Sequence, residues 1–172
     1  TAMHVSILLN LSKTIAVLDK LIRSLRKKED DFQNVIKIGR THLMDALPVT
    51  LGTEFGEYAF SLKKAKENIS HNMENLTYVA LGGTAVGSGA NSPNMYKERA
   101  ISYLSDISGL KLRPSENLYY ALQSKFDVAN CSSAIRNIAL EMIKMSNDIR
   151  LMASGPVSGL AEILIPAVHA GS

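Results

Sequence analysis

The sequence predicts an all-α fold, a bundle of long helices completed by oligomerisation. Prolines occur only at 48, 93, 114, 156 and 166, leaving 1–47, 49–92 and 115–155 free of the residue a helix interior tolerates least. Apolar residues recur within those stretches at the spacing of a helical face. Turn signals do not come every ~8–12 residues, as a small β-sandwich or barrel would need. Hydrophobic residues at 46% against 20% charged are enough to bury a core, and with Trp absent and aromatics at 6% that core must be aliphatic.

The first helix is expected over residues 2 to about 30, with Val5, Leu8, Leu9, Ile15, Leu18, Ile22 and Leu25 on one stripe. Ile7, Leu11, Val17 and Leu21 widen that stripe beyond one face, which implies several neighbours. Arg23, Arg26, Lys27 and Lys28 suit the negative end of the helix dipole. A rod of about 45 Å is too long for a compact globule of this size. Residues 35–41 alternate apolar and polar and read as extended, and Thr41 to Pro48 reads as a loop, since Pro48 disfavours helix at Leu47. A second long helix is expected over about 49–79, with Leu51, Phe55, Tyr58, Leu62, Ala65, Ile69, Met73 and Leu76 inward. The glycine-rich stretch 81–89 comes next. Ser92-Pro93 is a start signal for a shorter helix ending near Gly109, with residues 110–116 extended. The third long helix is expected over about 120–153, with Phe126, Val128, Ala134, Ile138, Met142, Met145, Ile149 and Met152 inward, and the tail from Val157 reads as irregular or a short hairpin.

The remaining bulk properties exclude functions. A net charge of +3 with basic and acidic residues interspersed argues against a nucleic-acid surface. No apolar run approaches the ~20 residues a membrane span needs. One cysteine, Cys131, cannot form an internal disulfide framework or a four-cysteine zinc site. With no signal-peptide pattern at the start, a cytoplasmic location is expected.

Few residues point to chemistry on their own. The glycine stretch lacks the Gly-Lys-Ser/Thr ending of a phosphate loop and the spacing of a dinucleotide fingerprint, so it reads as a tight link or as an amide-lined anion contact. His4, His42, His71 and His169 show no helical metal-ligand spacing, so no metal is expected. His4 and His71 fall in helices. His42 stands in a loop after Thr41 and near Asp45, where an imidazole can orient or transfer a proton. Asp127 and Cys131 share a helix face without an adjacent histidine, so Cys131 reads as core rather than nucleophile.

Longer motifs say more. Ile38-Gly39-Arg40-Thr41-His42-Leu43-Met44-Asp45-Ala46-Leu47-Pro48-Val49-Thr50-Leu51-Gly52 resembles a signature stretch of the aspartase/fumarase superfamily. Gly82 to Gly89, Ser146 to Pro156 and Gly159 to Ile163 resemble further segments of it, in the same order. The resemblance implies that residues 1–172 are the central helical-bundle domain, holding about three of the family's five long helices. It implies a homotetramer with a twenty-helix core and active sites shared among three subunits. Thr1-Ala2-Met3-His4 resembles the stretch just after the family's Ser-Ser-Asn motif, and Gly171-Ser172 the first letters of its mobile loop, so the expectation is a piece of a longer protein, inactive alone.

The family's reaction removes a proton from the carbon beside a carboxylate, giving an aci-carboxylate dianion that hydrogen-bond donors must stabilise. By resemblance, Ser172 is the base once its loop closes, and Thr41 and His42, contributed from a second subunit, bind the substrate's carboxylate and its amine or hydroxyl, with His42 orienting or transferring a proton. No cofactor is implied, and the substrate is a small dicarboxylate, aspartate or fumarate. Val157 replaces a usual Arg, Gly87-Ser88-Gly89-Ala90 a usual Gly-Thr-Gly-Leu, and residues 166–172 lack an acidic run frequent in fumarases. The last of these, with Leu151-Met152-Ala153-Ser154 followed by Gly159-Leu160-Ala161-Glu162, tilts the expectation toward elimination of ammonia from L-aspartate, while the departures equally fit a divergent lyase with another succinate-like substrate. The alternatives are hydration of fumarate and a non-catalytic assembly core of the same superfamily.

Overall fold

The computed structural model describes residues 1–169. Helix α1 runs over Ala2–Asp31 and α2 over Leu51–Asn75. The expected stripe of α2 is the face that is buried: Leu51, Phe55, Tyr58, Leu62, Ala65 and Ile69 are all inside. On α1 the narrower set Leu8, Leu11, Leu18 and Leu25 is fully buried, while Val17 and Leu9 are exposed. Gly52 lets the two rods touch: a Cβ there would collide with the Glu29 carbonyl oxygen. The exit of α1 is tied to the start of α2 by Gly52 N–H donating to Phe32 C=O and Leu51 N–H to Val35 C=O.

Between the two helices the expected loop is a β-hairpin. Strand β1, Ile36–Thr41, pairs antiparallel with β2, Met44–Thr50, and Thr41 faces Met44 across the two-residue turn His42-Leu43. Both turn residues have positive φ, 51° and 64°, the pattern of a type I′ turn, whose twist matches that of the strands. Asn-Gly ordinarily announces such a turn, so His-Leu gave no signal. Pro48 sits within β2 opposite Ile38, and α2 starts two residues later than expected because Thr50 caps it, its hydroxyl accepting from Thr53 N–H at 3.1 Å.

Beyond α2, β3 (Tyr78–Val79) pairs in parallel with β4 (Arg113–Pro114). Helix α3 spans Tyr96–Ser108, starting later than Ser92-Pro93 predicts. The Ser92 hydroxyl is committed to Gly89 C=O at 2.6 Å, and Met95 at φ 65° is the capping residue instead. Gly109 ends α3 in the left-handed conformation, as expected.

The expected helix over 120–153 is two helices, α4 (Leu118–Gln123) and α5 (Phe126–Met152). Ser124 is extended; its hydroxyl accepts from Phe126 N–H, and Lys125 Nζ donates to Leu122 and Ser124 carbonyls. These local bonds take up the groups a continuous helix would have paired. Of the inner side expected for α5, Ala134, Ile138, Met145 and Met152 are buried, whereas Phe126 (61%) and Met142 (40%) are exposed. Helix α2 is the central rod, packed against both α1 and α5. Much of the other face of α5, including Ile135, Leu140 and Ile143, is apolar and exposed. No helix among the described residues is long and apolar enough to cross a membrane.

After α5 the chain folds back on the helix end rather than forming a hairpin of strands. Ala161 N–H donates to Ser154 C=O at 2.7 Å and Glu162 N–H to Met152 C=O at 2.9 Å. This return delivers Glu162 to the side of β1.

Candidate functional site

The hairpin tip brings Thr41 and His42 together, both exposed. His42 and Leu43 form one wall of a cleft of about 710 Å³ closed on the other side by Tyr58 of α2 and by Lys144 and Asp148 of α5. Lys144 pairs with Asp148 at 2.8 Å and lies over the Tyr58 ring at 5.2 Å, while the Tyr58 hydroxyl donates to Asp148 at 3.3 Å. Burial, then the Asp148 charge, raises the Tyr58 phenol well above its ordinary range, so it acts there as a neutral donor. A cleft of about 650 Å³ beside α3, lined by Glu98, Ile101 and Leu112, contains none of the expected site residues. Ser172 lies outside the described residues.

The hairpin is seated by charge. Lys37, only 7% exposed along its side chain, contacts Glu54 of α2 at 2.8 Å and Glu162 at 2.7 Å. Arg40 grips Glu162 with both ends of its guanidinium, at 2.5 and 2.8 Å. Two cations and two carboxylates thus form a neutral cluster spanning β1, α2 and the returning segment. Arg40, with Lys37, holds the Glu162 carboxyl down at about 2 against the usual 4.5. Lys37 and Arg40 are an odd number of positions apart and would face opposite sides of a regular strand. A bulge between Ile38 and Arg40, where Gly39 opposes Ala46 and Leu47, twists the ribbon so that both reach one carboxylate.

Sequence reasoning missed this cluster. Arg40 and Glu162 each fall in a recognised motif, but no spacing rule joins residues 122 positions apart. The alternation over 35–41 is real but inverted: Ile36 is 77% exposed and Lys37 is inside.

The other candidates take structural places. His4 Nδ1 lies 3.1 Å from the carbonyls of Leu76 and Tyr78, joining the start of α1 to β3. Cys131 is buried and desolvation raises its thiol, while Asp127 accepts from the Tyr120 hydroxyl at 3.3 Å. The glycine stretch is a tight link, with Gly87 at φ 110° packed so closely on α4 that a Cβ would lie 2.7 Å from Tyr119 N. No group of three or more His, Cys, Asp or Glu among the described residues is placed to hold a metal ion.

Comparison with known proteins agrees with this architecture. The Lyase family model matches residues 1–172. Fumarate hydratase class II of Pasteurella multocida is 42% identical over 173 aligned positions, covering all of this chain and 37% of the relative. The enzyme of that name from Thermus thermophilus is 40% identical with the same coverage. Among solved structures, recombinant class II fumarase from Schistosoma mansoni superposes with a TM-score of 0.93 at 34% identity, covering 100% of this chain and 39% of that one. A fumarate lyase:delta crystallin from Brucella melitensis gives 0.89 at 40% identity, covering 98% and 36%. The chain therefore spans 37% of the length of these curated relatives. On its motifs, its helical architecture and its end-to-end match, the chain belongs to the lyase family of the aspartase/fumarase superfamily.

Proposed function

We propose that this chain serves a fumarate hydratase, interconverting fumarate and malate. The carrying observation is that class II fumarate hydratases of Pasteurella multocida and Thermus thermophilus align with the whole chain at 42% and 40% identity. They favour water as leaving group over the ammonia to which residues 166–172 and the run 151–154 followed by 159–162 point.

In the direction of dehydration, Ser172 as its alkoxide takes the proton from the carbon beside one carboxylate, becomes the neutral hydroxyl and leaves an aci-carboxylate dianion. The C–O bond on the neighbouring carbon then breaks, the double bond forms, and the hydroxyl departs as water with a proton transferred by His42. Thr41 and His42 bind the substrate from the hairpin tip, the hydroxyl and imidazole donating to a carboxylate oxygen and to the departing oxygen. The exposed apolar face of α5 supports assembly into a homotetramer, in which sites are shared between subunits.

The test is turnover of malate and of L-aspartate by the native assembled protein. Malate dehydration is expected, with His42→Asn lowering kcat/KM about 100-fold. Turnover of aspartate without malate would restore the ammonia-lyase reading. Turnover of neither would leave the non-catalytic assembly core.

A further inference from the structure

Thr41 ends β1 and His42 opens the two-residue turn of a two-stranded ribbon, an element that is marginal by itself. Its tip is exposed, so the contacts that fix the tip must act lower down. The geometry points to Glu162 as a positioning residue, which through Arg40 and Lys37 locks the Thr41-His42 tip to the segment that leads to Ser172. This rests on the reading of those three residues as site residues.

Arg40 is the residue immediately before Thr41, and Glu162 stands ten positions before Ser172. One bidentate pair therefore joins the two stretches that supply the substrate-binding tip and the base. The fork is the strongest geometry available to such a pair, because it fixes orientation as well as distance. Lys37 adds a second tie, from the same Glu162 carboxylate to Glu54 on the central rod. Glu162 is in turn anchored by its own N–H on Met152 C=O at the end of α5. The Glu162 side chain is engaged with Lys37 and Arg40, so its effect on the reaction passes through the placement of the tip.

Misplacing a reacting group by about 1 Å costs on the order of 100-fold in rate. In the full-length assembled enzyme, Glu162→Gln, which keeps the shape and loses the charge, is expected to lower kcat about 10- to 100-fold with KM changed less than about threefold. Glu162→Asp should recover part of the loss. The double variant His42→Asn/Glu162→Gln should lose clearly less than the product of the two single losses, because both act on one group. If Glu162→Gln does not assemble, Arg40→Lys, which keeps the charge and loses the fork, carries the same test with an expected loss of about 10-fold. Wild-type kcat in the variant tested, or multiplicative losses in the double variant, would overturn the positioning role while leaving the site reading intact. Wild-type turnover in His42→Asn alone would remove the site reading itself, and this role with it.

Discussion

Two regions of this chain are held by opposite chemistry. Along α2, the sides facing α1 and α5 are closed by Ala59, Leu62 and Ile69, all at 1% exposure or less. At the hairpin seat the inward side chains are Lys37, Arg40, Glu54 and Glu162, while Ile36 points outward. Aliphatic packing is non-directional, so it holds rods together while leaving their relative register to shape alone. Ion pairs with forked hydrogen bonds add little net stability once desolvation is counted, but they specify one arrangement. The molecule places the first kind of contact where length must be stabilised and the second where a turn must be aimed.

Four changes break or sharpen that contrast. Leu62→Ala, at the centre of the aliphatic side, should cost about 3–5 kcal/mol in denaturant unfolding of the assembled protein, through lost burial and the cavity left behind. A cost below about 1 kcal/mol would mean that the rods are held by something other than their stripes. Lys37→Met should cost about 2–3 kcal/mol by the same measurement, because two carboxylates lose a shared partner in a half-buried place. A stability gain would show that the seat needs only bulk.

Acid sharpens the contrast further. The Glu162 carboxyl is depressed in the fold, so its contribution is fully present above its unfolded value of 4.5 and disappears as pH falls from there toward about 2. The hairpin seat should therefore loosen over that window before the α1–α2 packing does, read as hydrogen exchange of the β1 and β2 amides against those of α2. Simultaneous opening would contradict separate seats. The smallest effect belongs to Lys64→Ala on the wet face of α2, whose 2.9 Å pair with Glu67 is well exposed. Its removal should change stability by less than about 0.5 kcal/mol in thermal unfolding, whatever the salt concentration.

The aliphatic half of this comparison is plain in the sequence. Leu51, Phe55, Tyr58, Leu62, Ala65 and Ile69 advertise their face by spacing alone, because a helix has a fixed period and one buried stripe. The motif around Thr41 and His42 was legible as a family resemblance, but its backbone was not, since nothing local distinguishes a loop from a type I′ turn without Gly or Asn. The break at Ser124-Lys125 was hidden for a related reason: it is made by side-chain bonds to the backbone rather than by Pro or Gly. The ionic seat was the least legible part. Alternation over 35–41 says which residues share a face, not which face turns inward, and Glu162 reaches that place only through a return of the chain after α5.

The left-handed backbone at residue 42 sorts the replacements an experimenter can make there. Asn enters positive φ more readily than other residues with a side chain, so His42→Asn removes the imidazole and leaves the bend intact. A β-branched residue is a genuine outlier in that conformation, so His42→Val would refold the turn and shift Thr41 along with it. A loss of turnover in the first variant reports on chemistry and in the second on backbone shape. Only the pair, measured side by side, separates what the ring does from what the bend does.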